Sequence, residues 1–161
     1  MASPLKAIFW GGFWCGILDI SSAMVAWGIR GVKPIRILQS VASGALGRAA
    51  FDGGWSTALL GLGFHFTIAF TAATVYYLAS RKLTFLVQRA VLFGMLYGEF
   101  VFLFMHYVVV PLSRAQQGRF TWASLISGPV GHLFFVGLPI ALAIRKWAPI
   151  TNATVAQRSV R

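Results

Sequence analysis

Acid is what this chain has least of. Its 161 residues hold three carboxylates, Asp19, Asp52 and Glu99, against fourteen Lys and Arg, and charged residues of both signs reach only 11%. A soluble domain keeps about a quarter of its residues charged, so a water-facing globule cannot be assembled from this composition. Cysteine is equally scarce. Cys15 stands alone in the first apolar run, which excludes an intrachain disulfide and, with no Cys-x-x-Cys-His present, covalent haem attachment. Also missing are Gly-x-Ser-x-Gly, a phosphate-binding loop, a dinucleotide fingerprint and any His-Glu-x-x-His or Glu-x-x-His, so the sequence leans away from an enzyme.

What remains is apolar and basic. Hydrophobic residues make up 58% and mean hydropathy is +0.75, the composition of a polytopic membrane protein. The net charge of +11 is carried by residues flanking apolar runs, and no nucleic-acid motif accompanies it. Its expected partners are anionic lipid headgroups of the bilayer, not nucleic acid. Four stretches reach the ~20 residues that a bilayer crossing needs: Ala7 to Ile29, Thr57 to Ala79, Ala90 to Leu112 and Trp122 to Ala143. Trp10, Trp27, Trp55, Tyr76, Tyr77, Trp122 and Trp147 lie near their ends, where amphipathic rings favour the interface.

Lys6, the run from Ala7 to Leu18 and Ser21-Ser22-Ala23 also have the form of a signal peptide. The apolar stretch continues through Met24 to Ile29, so a retained helix is the stronger expectation. Counting Lys and Arg gives eight on the side of the termini (Lys6, Arg81, Lys82, Arg89, Arg145, Lys146, Arg158, Arg161) and six on the other. Both termini are therefore expected in the cytoplasm. The fold class that follows is all-α: one four-helix membrane bundle over residues 1–147 with a short polar tail, 148–161, and antiparallel packing of sequential neighbours.

The connection from Gly31 to Gly54 is too patterned for a linker. Pro34 suits a first helical position, and Leu38, Val41, Ala42, Ala45, Leu46 and Ala49 recur at helical spacing. Arg36, Gln39, Ser40, Ser43 and Gly47 occupy the other face, which predicts an amphipathic interfacial helix over residues 34–50. Small residues four apart, Ser40/Gly44 and Ser43/Gly47, would let it dock closely on a neighbouring helix.

Five ionisable side chains fall inside the expected spans: Asp19, His65, Glu99, His106 and His132. Charged or titratable groups in hydrocarbon are costly unless paired or functional. At 1.5 Å per residue, Asp19, Glu99 and His132 lie within about 3 Å of the midplane, and His65 and His106 roughly 4 to 8 Å toward the outer face. Glu99 and His106 are two turns apart on one helix face, and Gly94/Gly98 on the same helix form a GxxxG surface for close helix contact, within the chain or with a second copy. Gly128-Pro129, Gly131 and Pro139 predict an irregular start and a kink in the fourth span.

Several chemistries fit the cluster. His65, His106 and His132 with the carboxylates are ligand types for Zn, Mn or Fe, and bundles build such metal sites from facing helices. A noncovalent haem needs two histidines at compatible depth, which His65 and His106 provide. Carboxylates and imidazoles can also relay protons or hold a small cation. Against all of these stands a structural role, in which buried polar side chains bond between helices and fix their register at about 0.6 to 2 kcal/mol each. Asp19 and Glu99 are the only carboxylate pair open to an intramembrane hydrolase.

His65 through Tyr76, Gly98, His106 with Pro111-Leu112, and Gly131-His132 resemble the pattern of YagU-like bacterial inner-membrane proteins, over about half the chain from the second span onward. The resemblance implies a four-helix fold in a bacterial inner membrane, with His65, His106 and His132 at matching positions and no established catalysis. Asp19 and Glu99 fall outside that pattern. The family's suggested link with acid tolerance bears on the protonation reading. The leading expectation is a polar cluster that senses protons or binds a small cation. Its rival is an interaction protein, a homo-oligomer or an accessory subunit of a larger membrane complex.

Overall fold

The computed structural model describes residues 3–115 and 128–148, and these are all helical apart from short connections. Helix α1 runs Pro4–Gly28, α2 Pro34–Leu46 into a 3-10 turn at Gly47–Phe51, α3 Gly54–Lys82, and the short α4 Phe85–Gln88. Helices α5, Ala90–Leu112, and α6, Gly128–Trp147, follow. Four of them, α1, α3, α5 and α6, are long and apolar enough to cross a membrane. The first six residues expected in the fourth span, 122–127, and the tail from 149 lie outside the described residues.

Prolines open the helices where the missing N–H costs nothing: Pro4 in α1 and Pro34 in α2 stand in the first turn. Further along they disturb the ladder. A π-helical turn at Met105–Val109 precedes Pro111 in α5, and another at His132–Gly137 precedes Pro139 in α6. Proline withholds a backbone donor, and a π turn absorbs the mismatch with one extra residue.

α1 sits between α3 and α6, and α6 packs on α5. All these pairs are antiparallel. The N–H of Ser3 donates to Trp147 O at 2.9 Å, so the start of α1 and the end of α6 share one end of the bundle. Small residues set the spacing. Gly12 and Gly16 of α1 receive the rings of Phe70 and Phe66 of α3, while Gly94 and Gly98 of α5 lie against Ala141 and Gly137 of α6. Where hydrophobic sorting between helices is absent, such close van der Waals contact is what holds spans together. The core is accordingly small and rich in alanine: Ala7, Ala69, Ala73, Ala90 and Ala141 with Tyr76, Ile140 and Ile144. Large apolar side chains lie outside, including Trp14 and Phe100, a surface that a water-soluble monomer rarely carries at this extent.

Sequential antiparallel packing holds for part of the bundle only. α3 and α5 are joined by the shortest connection yet meet chiefly at one level, where the Tyr76 and Tyr97 rings cross at 4.9 Å and the Tyr97 hydroxyl donates to Ala72 O at 2.8 Å. From that bridge toward the C-terminal end of α5 they are separated by a cleft of about 390 Å3 lined by residues such as Thr71, Phe100 and Phe104.

In α2, Ile37, Leu38, Gln39, Ala42 and Ser43 are buried, so the buried face combines residues from the apolar and the polar set, whereas the apolar Ala45 and Leu46 are exposed. Gly61 explains the choice. It admits the α2 backbone so closely that a Cβ there would meet the Leu38 carbonyl, and the polar Gln39 is compensated by bonds from its Nε2 to Gly54 O at 2.9 Å and Thr57 Oγ1 at 3.3 Å.

Candidate functional site

α1 and α6 diverge toward the end of the bundle opposite the chain's N-terminus and leave an open cleft of about 600 Å3. Its walls are mostly apolar, Leu18, Val25, Ala26, Val130 and Phe135 among them, and Trp27 stands toward the end of α1. Asp19 from α1 and His132 from α6 both line it, with Ser21 and Ser22. They are the titratable side chains among the described residues that line this cleft.

The polar groups around Asp19 are mostly committed. Ser22 Oγ donates to the Asp19 backbone carbonyl at 2.8 Å, and His132 Nδ1 donates to Gly128 O at 2.9 Å. That second bond selects the Nδ1–H tautomer in the neutral ring and leaves Nε2 as a proton acceptor. Among the described residues the Asp19 carboxylate makes no hydrogen bond and no ion pair, and no Lys or Arg lines the cleft.

No family model, curated protein or solved structure matches this chain.

The other three expected site residues, His65, Glu99 and His106, do not line this cleft. His106 and His132 share an aromatic neighbour: Phe102 stacks on the His106 ring at 5.9 Å and meets the His132 ring edge-on at 5.2 Å. His106 also lies edge-on to Tyr107 at 4.8 Å, within the π turn of α5. Glu99 is half-buried one turn before Phe102, next to Gly98, whose face is laid on the His132 backbone. Among the described residues its carboxylate too makes no hydrogen bond or ion pair.

His65 belongs to a different contact. Its Nε2 donates to Gly16 O of α1 at 2.9 Å, a bond between spans at the point where Gly16 admits Phe66. His65 and His106, the pair with the right depth for a haem, stand on α3 and α5, and neither is among the residues lining the cleft between those helices. Among the described residues no three His, Cys, Asp or Glu side chains are grouped to hold a metal ion. The arrangement sets one carboxyl group and one imidazole on the walls of an open, mostly apolar cleft.

Three residues of structural weight carried weak sequence signals. Gly12 and Gly16 are four apart, the same spacing that marks Gly94 and Gly98. Tyr97 looked like one more aromatic in an apolar run, and nothing but the packing reveals its bond to Ala72 O.

Proposed function

We propose that this chain is an integral, four-span protein of a bacterial inner membrane, with both termini cytoplasmic, whose Asp19 and His132 form a proton-responsive site. The observation that carries this reading is the unpartnered Asp19 carboxylate in a mostly apolar cleft that it shares with an imidazole. A half-buried carboxylate among mostly apolar walls and without a basic partner favours a proton or a cation as its companion, because a lone charge in apolar surroundings is costly. His132 Nε2 supplies a second acceptor on the same wall-to-wall space. The resemblance to YagU-like proteins is part of the same proposal and agrees with it in membrane and helix number. The rival role as an accessory subunit draws less support from Gly94 and Gly98, since α6 already covers them.

Infrared difference spectra of the full chain in lipid, stepped from about pH 4 to 9 to bracket carboxyl and imidazole titration, test the site. A protonated-carboxyl band that Asp19→Asn removes and His132→Gln shifts in midpoint is expected. A titration untouched by both substitutions refutes the proposal.

A further inference from the structure

The cleft between α1 and α6 offers more than a place for a proton. We infer that Asp19 is the counter-ion for a lipophilic organic monocation, bound in this cleft in exchange for the proton. The inference rests on the proton-responsive site proposed above and names its second ligand class.

The size is right for a small molecule: about 600 Å3 lies within the range of ~300 to 1,000 Å3 typical of ligand pockets. The charge is right as well. Asp19 brings one negative charge, no Lys or Arg among the described residues lines the walls, and the Ser22 hydroxyl and His132 Nδ1 are already bonded to backbone carbonyls. The unmet electrostatic demand of the cleft is therefore a single positive charge. The walls then decide which cation. A hydrated metal ion asks for several oxygen or nitrogen ligands, and among the described residues no three such side chains are grouped. A cation with its charge spread over an apolar body needs only one carboxylate and sheds little hydration on entering apolar surroundings. Phe135 on the cleft wall adds an aromatic face, which attracts cations through the ring quadrupole. Trp27 already does so for Arg30, whose guanidinium carbon lies 5.0 Å from the ring centroid.

Exchange follows from charge balance. With the proton on Asp19 the cleft is neutral, and an entering monocation displaces that proton, so no net charge accumulates. Cys15 stands one turn before Asp19 on α1 and feels its charge, and His132 on α6 lines the same cleft. His65 of α3 is held by the Gly16 carbonyl, and Arg30 stands beyond the cleft on the Trp27 ring. Affinity for the cation therefore rises with pH as Asp19 ionises.

Equilibrium binding of radiolabelled tetraphenylphosphonium to the detergent-purified full chain tests this. The expected result is saturable binding that weakens up to about tenfold per pH unit where Asp19 is protonated, and at least about tenfold in Asp19→Asn. Ala26→Trp, which fills the cleft wall without touching charge, weakens it likewise, and Glu99→Gln leaves it within about twofold. Wild-type binding no stronger than that of Asp19→Asn, or indifferent to pH, overturns the inference. If the infrared carboxyl band assigned to Asp19 persists in that case, the proton site stands without its organic ligand. If the band is also missing, both fall.

Discussion

Gly137→Ala is the sharpest test of how this bundle is held together. A Cβ at residue 137 would collide with the Gly94 carbonyl oxygen and the Gly98 nitrogen and would stand 2.7 Å from Gly98 Cα. Carbon atoms rest at about 3.5 to 4.0 Å, so α5 and α6 must part by about 1 Å at this level. Opening a packed seam by 0.5 to 1 Å already forfeits about a quarter to a half of each contact's attraction. Neither partner is the flexible end of a side chain, so the change should fall at the upper part of the ~1 to 3 kcal/mol seen for overpacking. Gly98→Ala meets the His132 carbonyl and should cost nearly as much; Gly94→Ala meets the Ala141 methyl at 2.7 Å and should cost less. Gly63→Ala is the control, with open space around its Cβ, and should be neutral or slightly stabilising given alanine's helix propensity. Reversible unfolding in mixed micelles, followed by circular dichroism, yields the four free energies. If Gly137→Ala is as stable as Gly63→Ala, the close α5–α6 seam is wrong. Because this seam is internal, Gly94→Leu should unfold the bundle without first changing its oligomeric state, which light scattering would detect.

Three further substitutions probe individual polar contacts. Gln39→Leu removes the amide that holds Gly54 O and Thr57 Oγ1 from a position 2% exposed, and should cost about 1 to 3 kcal/mol in the same unfolding assay; a change under about 0.5 would place Gln39 in water. His65→Ala deletes the bond to Gly16 O and should cost about 0.6 to 2 kcal/mol while leaving the Asp19 carboxyl band in place. Loss of that band would instead make His65 part of the proton site. Tyr97→Phe removes the donor to Ala72 O and should cost about 1 kcal/mol, with faster hydrogen exchange of amides around Ala72 as α3 and α5 loosen; unchanged exchange would refute the bridge.

The spans were legible because length and hydropathy are one-dimensional quantities. α5 runs Ala90–Leu112, and α1, α3 and α6 cover stretches that the apolar runs already mark. The irregularity near Pro139 was also legible, although its form, a π turn over His132–Gly137, was not. The face of α2 was not. Counting apolar residues put Gln39 outside, whereas Gly61 lets the α2 backbone approach so closely that the Gln39 amide is buried and bonded. Hydrophobic periodicity cannot anticipate a polar side chain that is buried because a glycine elsewhere makes room for it.

The same limit explains why the contacts of five titratable residues at similar depth could not be read from the sequence. Depth along a span follows from residue number at 1.5 Å each, but azimuth must be read from an apolar stripe, and a helix that is apolar all round has none. Glycines then decide orientation. Gly16 turns one side of α1 to Phe66 and brings His65 to its carbonyl, while Gly98 turns α5 onto α6 and sets Phe102 between His106 and His132. Asp19 and His132 meet the same cleft because α1 and α6, close at Ser3 and Trp147, spread apart toward the other end. A chain with so few acids leaves one of them facing that gap, with no Lys or Arg among the described residues that line it.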